Sequence, residues 1–316
     1  MEAPASAGYP QEATHEYGQQ NDLQKVSVYI PKLISSEAQQ KGIWVIYIHG
    51  GAWRDPTETL DSFGPARSLL LTSPGFASST SHVLAFASIN YRLSPHPDFP
   101  QDKATTLEYF LRNAEHPAHI QDVESAITYL QQKYGFGNRY LLVGHSCGAT
   151  LAFQATMRQQ DSSLESKIPK PIAVAGIAGI YDLRALRDYR NGDRTLLDIY
   201  QKIIEVPFGT NEALWDQVSP AEFCASGDAT ERNWKEGRLV VLAHSRNDQL
   251  VEVDQLQAMK SALASWEDDG DKDGSRKVVT LEDLEESHER MWSEGHELAR
   301  VIAVAIDELQ KLELSL

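Results

Sequence analysis

Apolar and polar positions follow two repeating patterns along this chain of 316 residues. Short apolar runs that end in polar or glycine-containing loops are typical of strands buried in a sheet. Such runs predict strands at 25–31, 44–48, 83–89, 140–143, 172–175, 238–244 and 277–281. Apolar residues at helical spacing, as in 123–130 and 294–312, predict helices with one buried face. Strands that alternate with helices predict an α/β fold, with a mainly parallel central sheet flanked by helices.

The chain is predicted to form one domain over residues 1–316, because 41% of its residues are apolar and can supply a full core. Residues 1–22 are polar and rich in glycine, proline and glutamine, so we predict a flexible tail there. The segment 181–236 is too long for a simple crossover between strands. Its helical patterns and aromatic residues favour a helical lid insertion, with an inert surface insertion as the alternative.

The segment 144–148, of sequence Gly-His-Ser-Cys-Gly, lies between the predicted strand at 140–143 and a run typical of a helix. This pattern predicts a nucleophile elbow, a tight turn that exposes a serine hydroxyl to a base and to substrate. The base is needed because a serine hydroxyl is a weak nucleophile at neutral pH. The glycines at both ends of the motif leave room for this tight turn. Ser146, which lies between them, is the candidate nucleophile.

In this fold the acid and the base follow the serine in that order, each in the loop after a strand. Asp248 lies in the loop after the predicted strand 238–244 and is the candidate acid. His288 follows the strand 277–281 and is the candidate base, which would take the serine proton while the acid orients its ring. His296 is the rival base, but it lies within a predicted amphipathic helix, where a surface or packing role is more common.

The strand at 44–48 leads directly into a His-Gly-Gly loop. Glycines in such a loop let backbone amides approach the negative charge that develops on a carbonyl oxygen. The candidate oxyanion-hole donors are the backbone amides of Gly50, Gly51, Ala52 and Cys147. We interpret His49 as structural, with its ring hydrogen-bonded to the loop backbone. Trp53 is a candidate pocket residue or, equally, a core plug.

A formal net charge of −16 argues against nucleic acid as a partner, because a polyanion would be repelled. With two cysteines and no apolar run long enough to span a bilayer, the sequence predicts no disulfide framework, no membrane partner and a cytoplasmic location. The acidic segment 269–274 resembles the start of a calcium loop, but the closing glutamate is missing, so we interpret it as an exposed loop. No metal and no cofactor are expected, and both a monomer and a homodimer remain open.

Several segments together resemble the fungal kynurenine formamidases, or arylformamidases, of the α/β-hydrolase superfamily. They are 48–56, 91–95, 143–150, 179–183 and 244–248, and the resemblance extends over most of the chain. The histidine and cysteine within the elbow favour this branch over related esterases, which usually have Gly-Asp-Ser-Ala-Gly.

The resemblance implies hydrolysis of N-formyl-L-kynurenine to kynurenine and formate in tryptophan degradation, with Ser146, Asp248 and His288 as the triad. A carboxylesterase acting on short acyl or aryl esters is the alternative, and a hydrolase fold kept as a binding module is a third. Trp53 and Tyr181 are the candidate substrate contacts. Ser94 and Asp182 are further candidates, although core or turn roles are more common for residues of these types.

Overall fold

A computed structural model of the chain describes residues 11–31, 42–157, 168–190, 192–225, 234–271 and 275–314. One sheet holds the strands of the described segments, in the order β1-β2-β4-β3-β5-β6-β7-β8. The strands are β1 (Gln11–Glu16), β2 (Lys25–Ile30), β3 (Ile43–Ile48), β4 (Val83–Ile89), β5 (Tyr140–His145), β6 (Ala173–Ile177), β7 (Leu239–Ser245) and β8 (Lys277–Leu284). Strands β3 to β8 are parallel to one another, and β1 and β2 form an antiparallel edge.

Helices lie on both faces of this sheet. They are α1 (Gly64–Thr72), α2 (Ala77–Thr80), α3 (Ala118–Tyr134), α4 (Cys147–Met157), α5 (Leu183–Asp188), α6 (Arg194–Phe208), α7 (Glu212–Val218), α8 (Pro220–Ala225), α9 (Asp254–Ala262), α10 (Ala264–Asp271), α11 (Arg290–Ser293) and α12 (His296–Leu314). Short 3₁₀ turns occur at Leu60–Phe63, Pro74–Phe76 and Glu108–Phe110.

The apolar runs form strands because both sides of each central strand are covered. Alternate residues of β3 belong to two different cores: Ile46 lies in the core that includes residues of α3, α4 and α9, whereas Val45 lies in the core that includes residues of α1 and α12. All residues of β3 and β5 are therefore buried, as expected for the middle of a parallel sheet. The predicted α/β fold is confirmed, and the strands lie within a few residues of their predicted positions.

The predicted flexible tail over residues 1–22 is wrong for its second half. Residues 11–16 form β1, which pairs in register with the full length of β2, and residues 1–10 lie outside the described segments. The side chains of β1 are mostly exposed, so the strand depends on its backbone ladder and not on apolar burial. This explains why its hydrophobic pattern was too weak to predict a strand.

The insertion after β6 is helical, as predicted, and its described part comprises α5 to α8. Aromatic residues of this part, including Tyr200, Phe208 and Trp215, are buried in the same core as α4. Residues 191 and 226–233 of the segment lie outside the described residues. A lid role for the insertion stays a prediction.

Two further expectations concern membranes and metals. Within the described segments, no helix is both long and apolar enough to cross a bilayer. The same residues contain no group of three or more histidine, cysteine, aspartate or glutamate side chains that is arranged to hold a metal ion. The acidic segment 269–274, which we expected to be a loop, is helical up to Asp271, and residues 272–274 lie outside the described segments.

Candidate active site

Ser146 lies at a sharp turn between the end of β5 and the start of α4. Its backbone φ is +54°, a left-handed conformation that is costly for a residue with a Cβ atom. The Ser146 N–H donates a hydrogen bond of 2.9 Å to the carbonyl oxygen of Ile177, at the end of the neighbouring strand β6. The turn is therefore held against the sheet in the strained form that defines a nucleophile elbow.

The two glycines of the elbow are required by close backbone contacts. A Cβ atom on Gly144 would collide with the carbonyl oxygen of Gly148 in the first turn of α4. A Cβ atom on Gly148 would collide with the carbonyl oxygen of Ile48 and would lie 2.5 Å from that of His49. The start of α4 is thus packed directly on the end of β3, which brings the serine beside the His-Gly-Gly loop.

Asp248 and His288 form a buried hydrogen-bonded pair, as the sequence predicted. Nδ1 of His288 lies 2.7 Å from Oδ2 of Asp248. Oδ1 of Asp248 accepts hydrogen bonds of 2.9 Å from the N–H groups of Leu250 and Val251. Burial by itself raises the pKa of Asp248, but the hydrogen bonds from His288 and these two amides bring it below its usual value. The carboxylate is therefore charged at neutral pH and fixed in orientation.

The loop that carries His288 is held next to the elbow. The His288 ring lies 4.7 Å from the ring of His145, measured between centroids. Glu297 of α12 accepts hydrogen bonds of 2.8 and 3.1 Å from the N–H groups of Glu285 and Glu286, which precede the histidine. Among the hydrogen bonds of the described residues, none joins the Ser146 hydroxyl to the His288 ring. This contact is the one that often tightens only when substrate binds.

The rival base, His296, is exposed at the start of α12. Its side chain therefore faces solvent, whereas the elbow residues His145, Ser146 and Cys147 are buried. The structure thus pairs Asp248 with His288, the base that the sequence favoured.

The His-Gly-Gly loop has an unusual backbone over three successive residues. Gly51, Ala52 and Trp53 have φ angles of +88°, +49° and +60°. The loop is fixed by the Tyr91 hydroxyl, which donates to the Gly50 carbonyl at 2.9 Å. It approaches Ser146 closely, because a Cβ atom placed on Gly50 would lie 3.1 Å from the Cβ atom of Ser146.

The four predicted oxyanion donors differ in what their amides face. The N–H of Gly50 faces the Glu58 carboxyl, and that of Ala52 faces the sulfur of Cys147. The N–H of Trp53 donates to the same sulfur at 3.2 Å. Among the described residues, the N–H groups of Gly51 and Cys147 have no protein acceptor. Of the four candidates, these two amides are the ones available to a ligand.

His49 has the structural role that the sequence suggested. Its Nδ1 lies 3.0 Å from the Gly50 carbonyl oxygen, and its ring stacks on Tyr91 at a centroid distance of 4.4 Å. Burial lowers the pKa of His49 to about 4, so the ring is neutral over the physiological range.

The structure buries both predicted substrate contacts, Trp53 and Tyr181, and their contact with substrate stays a prediction. Trp53 is fully buried, with its ring edge-on to Phe208 at 5.0 Å, and it plugs the loop against the insertion. Tyr181 is 1% exposed, and its phenol fills the space that Gly176 leaves without a side chain. Both aromatic side chains are used for packing, which is the more common role for large apolar residues.

The further candidates Ser94 and Asp182 also have local structural partners. The Ser94 hydroxyl donates to the Ala114 carbonyl at 2.7 Å. Asp182 caps α5 by accepting a hydrogen bond of 2.9 Å from the Ala185 N–H.

Two buried polar residues beside the elbow were not predicted as site residues. His145 lies within the Gly-His-Ser-Cys-Gly motif, and that position next to Ser146 is the signal from which its place in the site can be predicted. Glu58 lies in an irregular loop, where no periodic pattern indicates burial, yet it is 8% exposed.

Comparisons with known proteins agree with this architecture. The BD-FAE family model matches residues 27–263. The kynurenine formamidase-like hydrolase fscH of Fusarium equiseti is 40% identical over 293 residues, which cover 92% of each chain. The kynurenine formamidase avaC of Aspergillus versicolor is 35% identical over 261 residues, which cover 79% of this chain and 83% of that protein.

Solved structures establish the same fold at lower identity. The acetyl ester-xyloside bifunctional hydrolase of Caldicellulosiruptor lactoaceticus is 16% identical and superposes with a TM-score of 0.62, covering 98% of this chain and 99% of that one. Esterase B of Lactobacillus rhamnosis is 18% identical with a TM-score of 0.59, covering 99% of this chain and 91% of that one. At such identities the likeness concerns the fold alone.

Proposed function

This chain belongs to the kynurenine formamidase family of α/β-hydrolases, and from that premise we propose that it hydrolyses N-formyl-L-kynurenine to L-kynurenine and formate, a step of tryptophan degradation. The observation that carries the proposal is the buried 2.7 Å hydrogen bond between His288 and Asp248 beside the strained elbow of Ser146. The relatives named kynurenine formamidase supply the substrate class.

In the first step, Oγ of Ser146 attacks the formyl carbon, and Nε2 of His288 takes the hydroxyl proton. Asp248 accepts the hydrogen bond from Nδ1, which selects the tautomer whose Nε2 can act as a base. The carboxylate also stabilises the imidazolium that forms, because it is buried and negatively charged. The hydrogen bond from the serine to the imidazole forms as the substrate closes the site.

The carbonyl oxygen becomes negatively charged when the tetrahedral intermediate forms. We assign the N–H groups of Gly51 and Cys147 as its donors, because among the described residues they have no protein acceptor. The Cys147 amide also lies at the start of α4, where the helix dipole favours a negative charge.

The second proton transfer explains why a formamide of an aryl amine suits this site. The imidazolium of His288 gives its proton to the departing nitrogen, which is weakly basic because its lone pair is delocalised into the ring. The C–N bond breaks, and a formyl ester remains on Ser146. A water molecule then loses its proton to His288 and attacks this ester, releasing formate and restoring the serine hydroxyl. No metal or cofactor takes part in the proposed reaction.

We place the reaction in the cytoplasm and expect a small molecule as the only obligatory partner. The chain has two cysteines, Cys147 and Cys224, and both are buried, which suits a reducing compartment better than a disulfide framework. The net charge of −16 disfavours nucleic acid as a partner.

The direct test compares kcat/KM for N-formyl-L-kynurenine and for p-nitrophenyl acetate with the same enzyme preparation. The proposal predicts a clear preference for the formamide, and loss of both activities in Ser146→Ala. A strong preference for the ester would reject the formamidase function in favour of a carboxylesterase. As a matched control, Ser293→Ala replaces an exposed serine at the end of α11 and should leave both values unchanged.

A further inference from the structure

Glu58 and His145 face each other across the backbone of Gly50. Oε2 of Glu58 lies 3.9 Å from Nδ1 of His145. Within the described residues, neither of these buried atoms has a hydrogen-bond partner. A Cβ atom on Gly50 would lie 2.9 Å from each of them, so the α-carbon of Gly50 is held between the two side chains. We call Glu58 and His145 together the clamp.

Both groups of this clamp are uncharged at neutral pH. Burial raises the pKa of Glu58 to about 8, and the nearby carboxylates of Asp55 and Glu289 add to the effect, while the Gly50 N–H opposes it. Burial lowers the pKa of His145 well below its usual value, and the nearby His288 ring adds to the decrease. The contact is therefore a neutral acid beside a neutral imidazole and not an ion pair.

The absence of charge on Glu58 and His145 matters because the clamp lies beside the proposed oxyanion site. The Gly50–Gly51 peptide that it holds carries one of the two free amides assigned above to the oxyanion. A carboxylate at Glu58 would repel the negative charge that develops beside Ser146. A neutral carboxyl can hold the loop without this penalty.

We propose that Glu58 is a positioning residue: in its protonated form it holds, together with His145, the Gly50–Gly51 peptide in place for oxyanion binding. When Glu58 ionises, this positioning is lost. The inference rests on the proposed serine chemistry but not on the identity of the substrate. Its action is through the loop backbone, because the carboxyl faces Gly50 and His145.

The titratable groups around Glu58 come from several elements. They are Tyr47 on β3, Asp55 on the same loop, Tyr91 after β4, His145 on β5, Cys147 on α4 and Glu289 after His288. The tyrosine and cysteine pKa values are raised by burial, so these groups stay neutral when Glu58 titrates. The loss of activity at alkaline pH should therefore follow the ionisation of the Glu58 carboxyl.

The test measures the rate at which a fluorophosphonate labels Ser146 between pH 6.5 and pH 9.5, corrected for reagent hydrolysis. In this reaction the serine oxygen displaces fluoride from phosphorus, so the rate reports the nucleophile and the oxyanion hole without any natural substrate. The wild-type rate should fall through about pH 8 and be about tenfold lower at pH 9, since one pH unit past a pKa leaves about a tenth of the protonated form.

Variants separate positioning from simple structural support. Glu58→Gln keeps the shape and cannot ionise, so its labelling rate should match the wild type at pH 7 and stay level up to pH 9. Glu58→Ala should lose at least tenfold at pH 7, with intact circular dichroism. The matched control Glu222→Gln replaces an exposed glutamate on α8 and should keep the wild-type profile.

A wild-type rate that stays level to pH 9 would overturn the proposal without recourse to any variant. So would a Glu58→Gln profile that falls in parallel with the wild type, or a Glu58→Ala rate equal to the wild type at pH 7. If the labelling profiles behave as expected but N-formyl-L-kynurenine is not hydrolysed, the substrate assignment fails and the role of Glu58 stands.

Discussion

Replacing Gly148 by alanine should test the packing of the elbow on the oxyanion loop. The new Cβ atom would collide with the carbonyl oxygen of Ile48 and lie 2.5 Å from that of His49. These are backbone atoms at the end of a central strand, so they cannot rotate away as a flexible side chain would. Overpacking of a well-packed core costs ~1–3 kcal/mol, and we expect Gly148→Ala to lie at the upper end, about 3 kcal/mol.

The same collision pushes α4 away from β3 and thereby separates Ser146 from the Gly51 amide. We therefore expect kcat to fall by more than tenfold in molecules that remain folded. The measurement is equilibrium unfolding in urea, combined with steady-state kinetics on N-formyl-L-kynurenine.

Gly64→Ala is the matched control for this change. Gly64 has a helical backbone, and a Cβ atom there would have no neighbour within 4 Å. This substitution should be neutral or stabilise the protein by ~0.4–1 kcal/mol. If Gly148→Ala unfolded within about 0.5 kcal/mol of the wild type and kept its kcat, the account of why glycine is required would be refuted.

Three further predictions concern single side chains. Asp248→Asn should lower kcat by about 10³–10⁴-fold, because the amide favours the wrong imidazole tautomer. The control Asp254→Asn replaces an exposed acid on α9 and should leave kcat unchanged, and equal kcat values for the two variants would contradict the assignment of Asp248 as the acid. Cys147 should resist iodoacetamide at pH 8 in the folded enzyme and react in urea, because burial raises the pKa of its thiol to about 12; rapid modification with loss of activity would contradict this. His119 should make the protein less stable as the pH falls below about 6.5, because burial lowers its pKa in the folded state to about 3, so the unfolded chain takes up the proton first. In urea unfolding, His119→Gln should recover about 2 kcal/mol of the stability that the wild type loses between pH 7 and pH 5. An equal loss in the variant would refute this prediction.

The sequence predicted the pairing of Asp248 with His288 because two physical rules act together. Continuous apolar runs indicate central parallel strands, and the loops at the carboxyl ends of such strands meet at one edge of the sheet. Asp248 and His288 follow β7 and β8, which are neighbours in the sheet, so 40 residues of separation become a contact of 2.7 Å. The prediction needed no knowledge of side-chain packing.

The features that the sequence did not predict depend on packing or on backbone pairing. Strand β1 has exposed side chains and is defined by its ladder with β2, which leaves no hydrophobic pattern. Burial of Glu58 depends on how an irregular loop folds over Gly50, and polar residues in loops are usually exposed. Trp53 and Tyr181 lie near motifs of the site, but their side-chain directions are set by positive φ angles and by cavities at glycines.

The central claim is that Ser146 performs the hydrolysis of a formamide with His288 and Asp248. It is tested most directly by following kynurenine release from N-formyl-L-kynurenine with the wild-type enzyme and with Ser146→Ala at equal concentrations of folded protein. We predict turnover by the wild type and a loss of at least about 10³-fold in the variant, since removing the nucleophile leaves only binding and oxyanion stabilisation. Turnover by Ser146→Ala within tenfold of the wild type would contradict the account.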